Sequence, residues 1–424
     1  MERLAARHGI HYSWVVAGTT FLAMLVTAGA MGAPGVLIEP LQIEFGWSNA
    51  EISGAFAVRL VLYGLLGPFA AAFMNYFGVR RVAAFALGLI AAGVLASTFM
   101  TSQWHLMLLW GVVIGFGTGM TAMVFGATVA SRWFVNRRGL VVGLLGASTA
   151  TGQLVFLPAL AALATRIGWR AALEFVVLML VLAIVAVVVL MRDWPADVGL
   201  APYGSKEPVA RPARPASIGA MLVSPIKALQ EAARTRIFWL LFGSFFVCGA
   251  STNGLVQTHW VSMCGDFGIA AVAAAGMLAV IGIFDFVGTI GSGWLSDRYD
   301  SRWLLFWYYG LRGLSLMFLA FSDFGPAQLA VFAVFYGLDW VATVPPTVKL
   351  TTAHFGGNAN MVFGWVFAGH QLGAACAAYG AGFTRTTYES YLPAFFVAGV
   401  LCVIAAVAMV IRREERAAVA PVTA

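Results

Sequence analysis

Four ionisable side chains, Arg59, Asp285, Arg312 and Asp339, lie inside long apolar stretches, and His370 is a fifth. A charged group in such surroundings must find a partner or a cavity. Desolvation disfavours the anion of Asp285, so this carboxyl is suited to carrying a proton; a buried packing acid is the alternative. Arg59 offers a bidentate partner to a carboxylate, or snorkels to the surface. Arg312 and Asp339 flank a short turn and are expected to meet as a structural ion pair. His370 titrates near neutral pH without help and could couple protons or bind an anion; it could equally be a packing histidine. Asn253, Gln257, His259 and Trp260 recur at about one helical turn, and with Tyr63, Gln153 and Gln371 they complete a candidate polar lining. This is the chemistry of binding and proton exchange. Bond-making machinery is missing: there is no Walker loop, no Gly-x-Ser-x-Gly elbow and no His-Glu-x-x-His. Cys248, Cys264, Cys376 and Cys402 have no metal-ligand spacing and read as small buried hydrophobes. Neither an enzyme, a cofactor nor a metal site is expected.

Asp285 belongs to a stretch, 279–302, that is repeated at 57–81 in a register displaced by 222 residues. Tyr63 takes the place of Asp285, and Asn75 that of Asp297. The same register sets Glu44, Phe45 and Gly46 on Asp266, Phe267 and Gly268. A parallel repeat of this size in an apolar chain is the mark of a two-bundle transporter.

Composition makes lipid the solvent. Hydrophobic residues are 61% of the chain and charged residues 10%, with mean hydropathy +0.87, whereas soluble chains carry about 25% charged residues. The net charge of +7 does not indicate nucleic acid, because the basic residues lie between apolar blocks and form no patch. Twelve apolar runs are long enough to cross roughly 30 Å of hydrocarbon. They are 12–38, 50–74, 82–101, 105–130, 139–164, 170–191, 236–262, 270–295, 302–322, 326–350, 359–384 and 391–411. Each is read as a helix, which satisfies its backbone within the segment. No cleavable leader is apparent, since the first run follows Arg3 and Arg7 without a cleavage site.

With the N-terminus in the cytoplasm, the cytoplasmic side carries Arg3, Arg7, Arg80, Arg81, Arg132, Arg137, Arg138, Arg214, Arg298, Arg302, Arg412, Arg413 and Arg416, among others. The opposite side has Arg166, Arg170 and Arg385. That asymmetry puts both termini in the cytoplasm. The proline-broken connection 192–235 separates an N-terminal bundle, 1–191, from a C-terminal bundle, 236–424. Its second part reads as an interfacial helix and its first part as either a linker or part of that surface. Glycines at four-residue spacing, Gly111, Gly115 and Gly119, then Gly139 and Gly143, suit close helix packing, or faces that rock.

These features together resemble the major facilitator superfamily over essentially the whole chain. The loop signature Gly-x-x-x-Asp-Arg is kept at Gly293–Arg298 and degenerate at 71–81, where Asn75 replaces the acid. Residues 131–139 look like the branch holding monocarboxylate porters and oxalate/formate exchangers. The resemblance implies an all-α membrane protein of twelve transmembrane helices in two six-helix bundles, working by alternating access in a bacterial inner membrane. It implies a small organic anion as substrate, moved with a proton, and a conformational latch formed by Asn75, Arg80, Asp297 and Arg298. Two positions depart from that branch: Thr289 stands where an arginine is common, and His370 where exchangers keep a lysine. Export of amphipathic compounds and a non-transporting sensor are the alternatives.

Overall fold

The structure is a computed structural model that describes residues 11–411 apart from 48, 208–210 and 212–214. Arg3, Arg7, Arg214, Arg412, Arg413 and Arg416 lie outside the described residues, as does the side chain of Gln153. Helices make up nearly all of the described chain, and the only β pairing among described residues is an isolated bridge, Phe134 to Tyr203.

Spans 1 to 6 are Tyr12–Gly32, Asn49–Leu65 with Gly67–Phe77, Val79–Ser97, Gln103–Trp133, Arg138–Ile167 and Trp169–Leu190. Spans 7 to 12 are Arg236–Asp266, Ala271–Ser296, Ser301–Ala320, Pro326–Asp339 with Val344–Phe355, Ala359–Tyr388 and Leu392–Ile411. By length and apolarity alone, nine of the described helices could cross a membrane, or ten with the bent span 2. That tally joins spans 10 and 11 and cuts span 5 into two short pieces, which is consistent with twelve.

Four spans are interrupted where apolar continuity predicted unbroken helices; span 4 breaks at Thr121–Ala122 without a proline, and in the other three proline is the cause. Span 1 ends at Gly32, and Pro34 opens a separate helix, Pro34–Phe45. Span 2 bends by 56° ahead of Pro68. Span 10 stops at Asp339 and resumes at Val344, with Pro345 and Pro346 in its new first turn. Proline lacks an N–H and clashes with the preceding turn, so it starts helices more readily than it continues them.

In its described residues the connection between spans 6 and 7 is tied to both halves. Tyr203 N–H donates to Trp133 O at 2.8 Å, and its carbonyl accepts from Val135 and Asn136. The helix Ile218–Ala232, capped by Ser217, lies against span 11 through Trp365 Nε1, which donates to Pro225 O at 2.9 Å. The side of the protein carrying this connection is called the linker face below.

On the opposite face the 222-residue repeat reappears as two clasps. Glu44 accepts from Arg170 at 2.6 and 2.9 Å and from Trp169 Nε1 at 2.8 Å, while Asp266 accepts from Arg385 at 2.9 Å. Each clasp lies within its own half. The hydrogen bonds from the Arg170 guanidinium hold the Glu44 carboxyl below its ordinary range. Whatever stability the clasp adds is therefore complete above the ordinary carboxylate range and lost as pH falls through the depressed one. Thermal melts of Glu44→Gln should lack that acid-side loss. The difference should be small, because both side chains are more than a third exposed.

Candidate functional site

Glycines decide where helices approach, and they separate the two readings of the glycine stripes. Gly111, Gly115 and Gly119 of span 4 face span 2 within the same half; a side chain on Gly115 would meet Arg59 Cα at 3.1 Å. Gly139 and Gly143 of span 5 instead face Gly293 and Thr289 of span 8, in the other half, at backbone contact. Across the second junction, Gly67 and Pro68 of span 2 meet Gly364 of span 11. The core follows suit, running from the first half into Val344, Val348 and Met361–Phe367. The halves thus close on each other at the linker face.

At mid-depth this junction assembles three of the expected site residues. Tyr63 meets Phe367 edge-on with centroids 5.5 Å apart, and Phe367 stacks on His370 at 5.8 Å. Gln371 lies against Gly64. One turn before Tyr63, Arg59 is only 6% exposed; its Nη1 donates to Met31 O at 3.0 Å, and its Nε has no partner. Among the described residues no carboxylate pairs with it. His370 Nδ1 is likewise buried without a partner. Its backbone runs against Gly249 of span 7, where any side chain would collide with the His370 carbonyl.

Span 7 corrects the expected polar stripe. Its middle, Ala250–Gln257, winds as a π-helix, with more residues per turn than the α period assumed. Asn253 is half-buried and Gln257 exposed. Trp260 turns away completely: it is buried, stacks on Phe332 at 5.2 Å and donates to Ala274 O. His259 bonds Ala378 O at 2.9 Å, within its own half.

Asp285 is 2% exposed and faces the break in span 10. Its Oδ1 accepts from Thr289 Oγ1 at 2.8 Å and from Val341 N–H at 2.9 Å. Arg312 and Asp339 meet at 2.6 Å, Nε to Oδ2. The guanidinium also donates to the carbonyls of Asp339 (2.6 Å) and Trp340 (3.1 Å) and to Cys248 Sγ (3.0 Å). Arg312 therefore satisfies carbonyls left open where span 10 stops, and Asp285 takes an N–H just before it resumes. Sequence reasoning missed two participants. Cys248 was read as a plain hydrophobe, and its partner Arg312 is distant in the chain, so no local signal existed. Phe367 lies one turn before His370, and that spacing could have found it.

Of the four expected latch residues, Asp297 alone reaches the other half. It accepts from the N–H groups of Gly139 (2.7 Å) and Leu140 (3.0 Å), an acid at the N-terminus of span 5. Asn75 accepts from Arg132 at 2.7 Å, Arg80 N–H donates to Asp193 at 2.9 Å, and Arg298 folds over Trp294 with 3.9 Å to the ring centroid. None of these three reaches the other half: Arg80 bonds the start of the connection, and Asn75 and Arg298 bond within their own halves; Asn75 lacks the charge that would seek a helix end. Lys349 of span 10 donates to Ser296 O and Tyr299 O, closing the end of span 8. An acid at a helix N-terminus is worth about 0.3–1 kcal/mol. Asp297→Asn is therefore expected to shift the balance toward an opened linker face by roughly two- to fivefold, with ligand affinity nearly intact. Spin-label distances between the inner ends of spans 5 and 8 would report this shift. A large affinity loss with unchanged distances would count against a latch.

Family comparison agrees with this architecture. The model described as Major Facilitator Superfamily matches residues 20–357 and 260–424. The chain belongs to the major facilitator superfamily. It is an integral membrane transporter and not an enzyme. Within the superfamily it is 27% identical to Monocarboxylate transporter 13 of Bos taurus, over 92% of this chain and 86% of that one. It is also 27% identical to Monocarboxylate transporter 11 of Homo sapiens, over 92% and 80%. The fold is shared with the human organic anion transporter MFSD10 (TM-score 0.72, 15% identity, 94% and 99% covered). The E. coli fucose:proton symporter FucP (N162A) shares it too (TM-score 0.70, 14% identity, 94% and 98% covered).

Proposed function

We propose that this member of the superfamily moves a small organic anion, a monocarboxylate in the first instance, together with a proton. The observation that carries the reading is Arg59: a buried guanidinium with a free Nε and no described acid beside it, one turn from Tyr63, which meets Phe367 at the junction that also holds Gln371 and His370. A fixed cation without a counter-charge suits a carboxylate, which can bond it in two places. The names of the relatives, monocarboxylate transporters, support the same substrate class. Gln153, Asn253 and Gln257 remain candidates for the lining, Asp285 with His370 for proton coupling, and Asp297 for the latch. In this reading residues 1–191 and 236–424 rock as two bundles strapped by 192–235. The linker face is the cytoplasmic one, as its basic residues favour in a bacterial inner membrane. Uptake by proteoliposomes under an imposed pH gradient, across organic acids and hydrophobic cations, tests it. Accumulation of a monocarboxylate that collapses with a protonophore is expected. Accumulation of cations only would favour export of amphipathic compounds, and no accumulation of any compound would favour a sensor.

A further inference from the structure

The break in span 10 gathers more negative charge than an ion pair balances. Arg312, Asp285 and Asp339 are 0%, 2% and 3% exposed. Asp339 Oδ2 holds Arg312 Nε, yet its Oδ1 is buried with no partner. Asp285 sits at the same break on Val341 N–H, within electrostatic reach of both Arg312 and Asp339. Among the other groups facing the cluster, the tyrosines and Cys402 add no fixed charge. From span 9 come Tyr308 and Tyr309; from span 10, Tyr336, whose hydroxyl donates to Ser251 O; from span 12, Cys402. From span 7, Cys248 lies between Arg312 and His370 of span 11, and that imidazole is the one group able to add a positive charge. Two carboxylates around one guanidinium leave one uncompensated anion in a dry site, which is costly unless a proton neutralises it. The free Oδ1 of Asp339 can take that proton without losing a hydrogen bond.

We propose that Asp285 and Asp339 hold one proton between them around Arg312, so that Asp339 is a second proton-holding residue and the break in span 10 is the element the proton controls. The inference rests on the proton-coupled reading above and names a further residue for it. The step is simple: a proton from water forms an O–H bond on one carboxylate, whose charge is lost, and returns to water later. Nothing is oxidised or reduced. When Asp285 carries the proton, its hold on Val341 N–H weakens, and the resumed half of span 10 is freed from span 8.

Infrared difference spectra of the purified full chain in lipid, taken across pH with hydrogen–deuterium exchange, count protonated carboxyls directly. One carboxyl band that titrates above the range of the exposed carboxylates is expected in the wild type. It should be lost in Asp285→Asn and equally in Asp339→Asn, because either variant leaves Arg312 with one balancing acid. A wild-type band persisting in Asp339→Asn overturns the sharing. Should that variant fail to fold, Asp339→Glu serves: the band is expected to move in frequency, and an unmoved band overturns the proposal. The spectra need neither substrate nor gradient, so they stand even if the transport reading fails.

Discussion

Arg59→Gln is expected to weaken binding of a monocarboxylate by roughly ten- to a hundredfold, the effect of losing a charge-assisted hydrogen bond of about 1.5–3 kcal/mol. The side chain is buried, so the charge it presents is not diluted by water. Glutamine can still reach toward Met31 O, which now accepts from Nη1, so the helix contact between spans 1 and 2 has a substitute. Arg59→Lys should rescue poorly. An ammonium is a point charge and cannot offer the two parallel N–H groups of the fork. Calorimetric titration of the purified chain with small monocarboxylates, at fixed pH, measures the loss. Unchanged affinity in Arg59→Gln would mean that the guanidinium braces span 1 and that the anion site lies elsewhere.

How much of this was legible beforehand depends on the range of the forces involved. Span number and the two-bundle fold follow from apolar runs and an internal repeat, which are properties of the sequence itself. The repeat even carried through to side chains: Glu44 and Asp266 match in register, and both clasp an arginine on the face away from the linker. The meeting of Arg312 with Asp339 could be anticipated, since a short turn brings their helices together at similar depth. What could not be read was anything set by contacts between distant spans. Asp285 was open to a proton-carrying and a packing role, and that it holds the backbone of span 10 could not be foreseen, because Pro345 and Pro346 make a break that needs capping. Asn75 and Asp297 occupy equivalent places in the repeat, and only the charged one crosses to a helix end. Trp260 left the stripe on span 7 for a different reason. A π-helical stretch changes the period on which the pattern was counted, and that placed Trp260 in the interior.

Asp285→Asn is expected to abolish accumulation driven by a pH gradient while preserving exchange of substrate across the bilayer. Geometry makes this substitution discriminating. The amide oxygen of asparagine can accept from Thr289 Oγ1 and Val341 N–H as the carboxylate does, so the break in span 10 keeps its cap. What asparagine cannot do is take up and release a proton. It also leaves Arg312 balanced by Asp339 alone, a pair at 2.6 Å with no excess charge for a proton to neutralise. One pH unit corresponds to about 1.4 kcal/mol, so one-to-one coupling in the wild type should sustain about tenfold accumulation per unit of gradient. The variant should equilibrate its substrate at a ratio of about one, whatever the gradient. Exchange of internal for external substrate needs no net proton movement and should continue at a rate of the same order. Both quantities come from one proteoliposome preparation, loaded or empty. If the variant still accumulates substrate with an unaltered pH dependence, Asp285 serves only to cap span 10, and the proton crosses by another route.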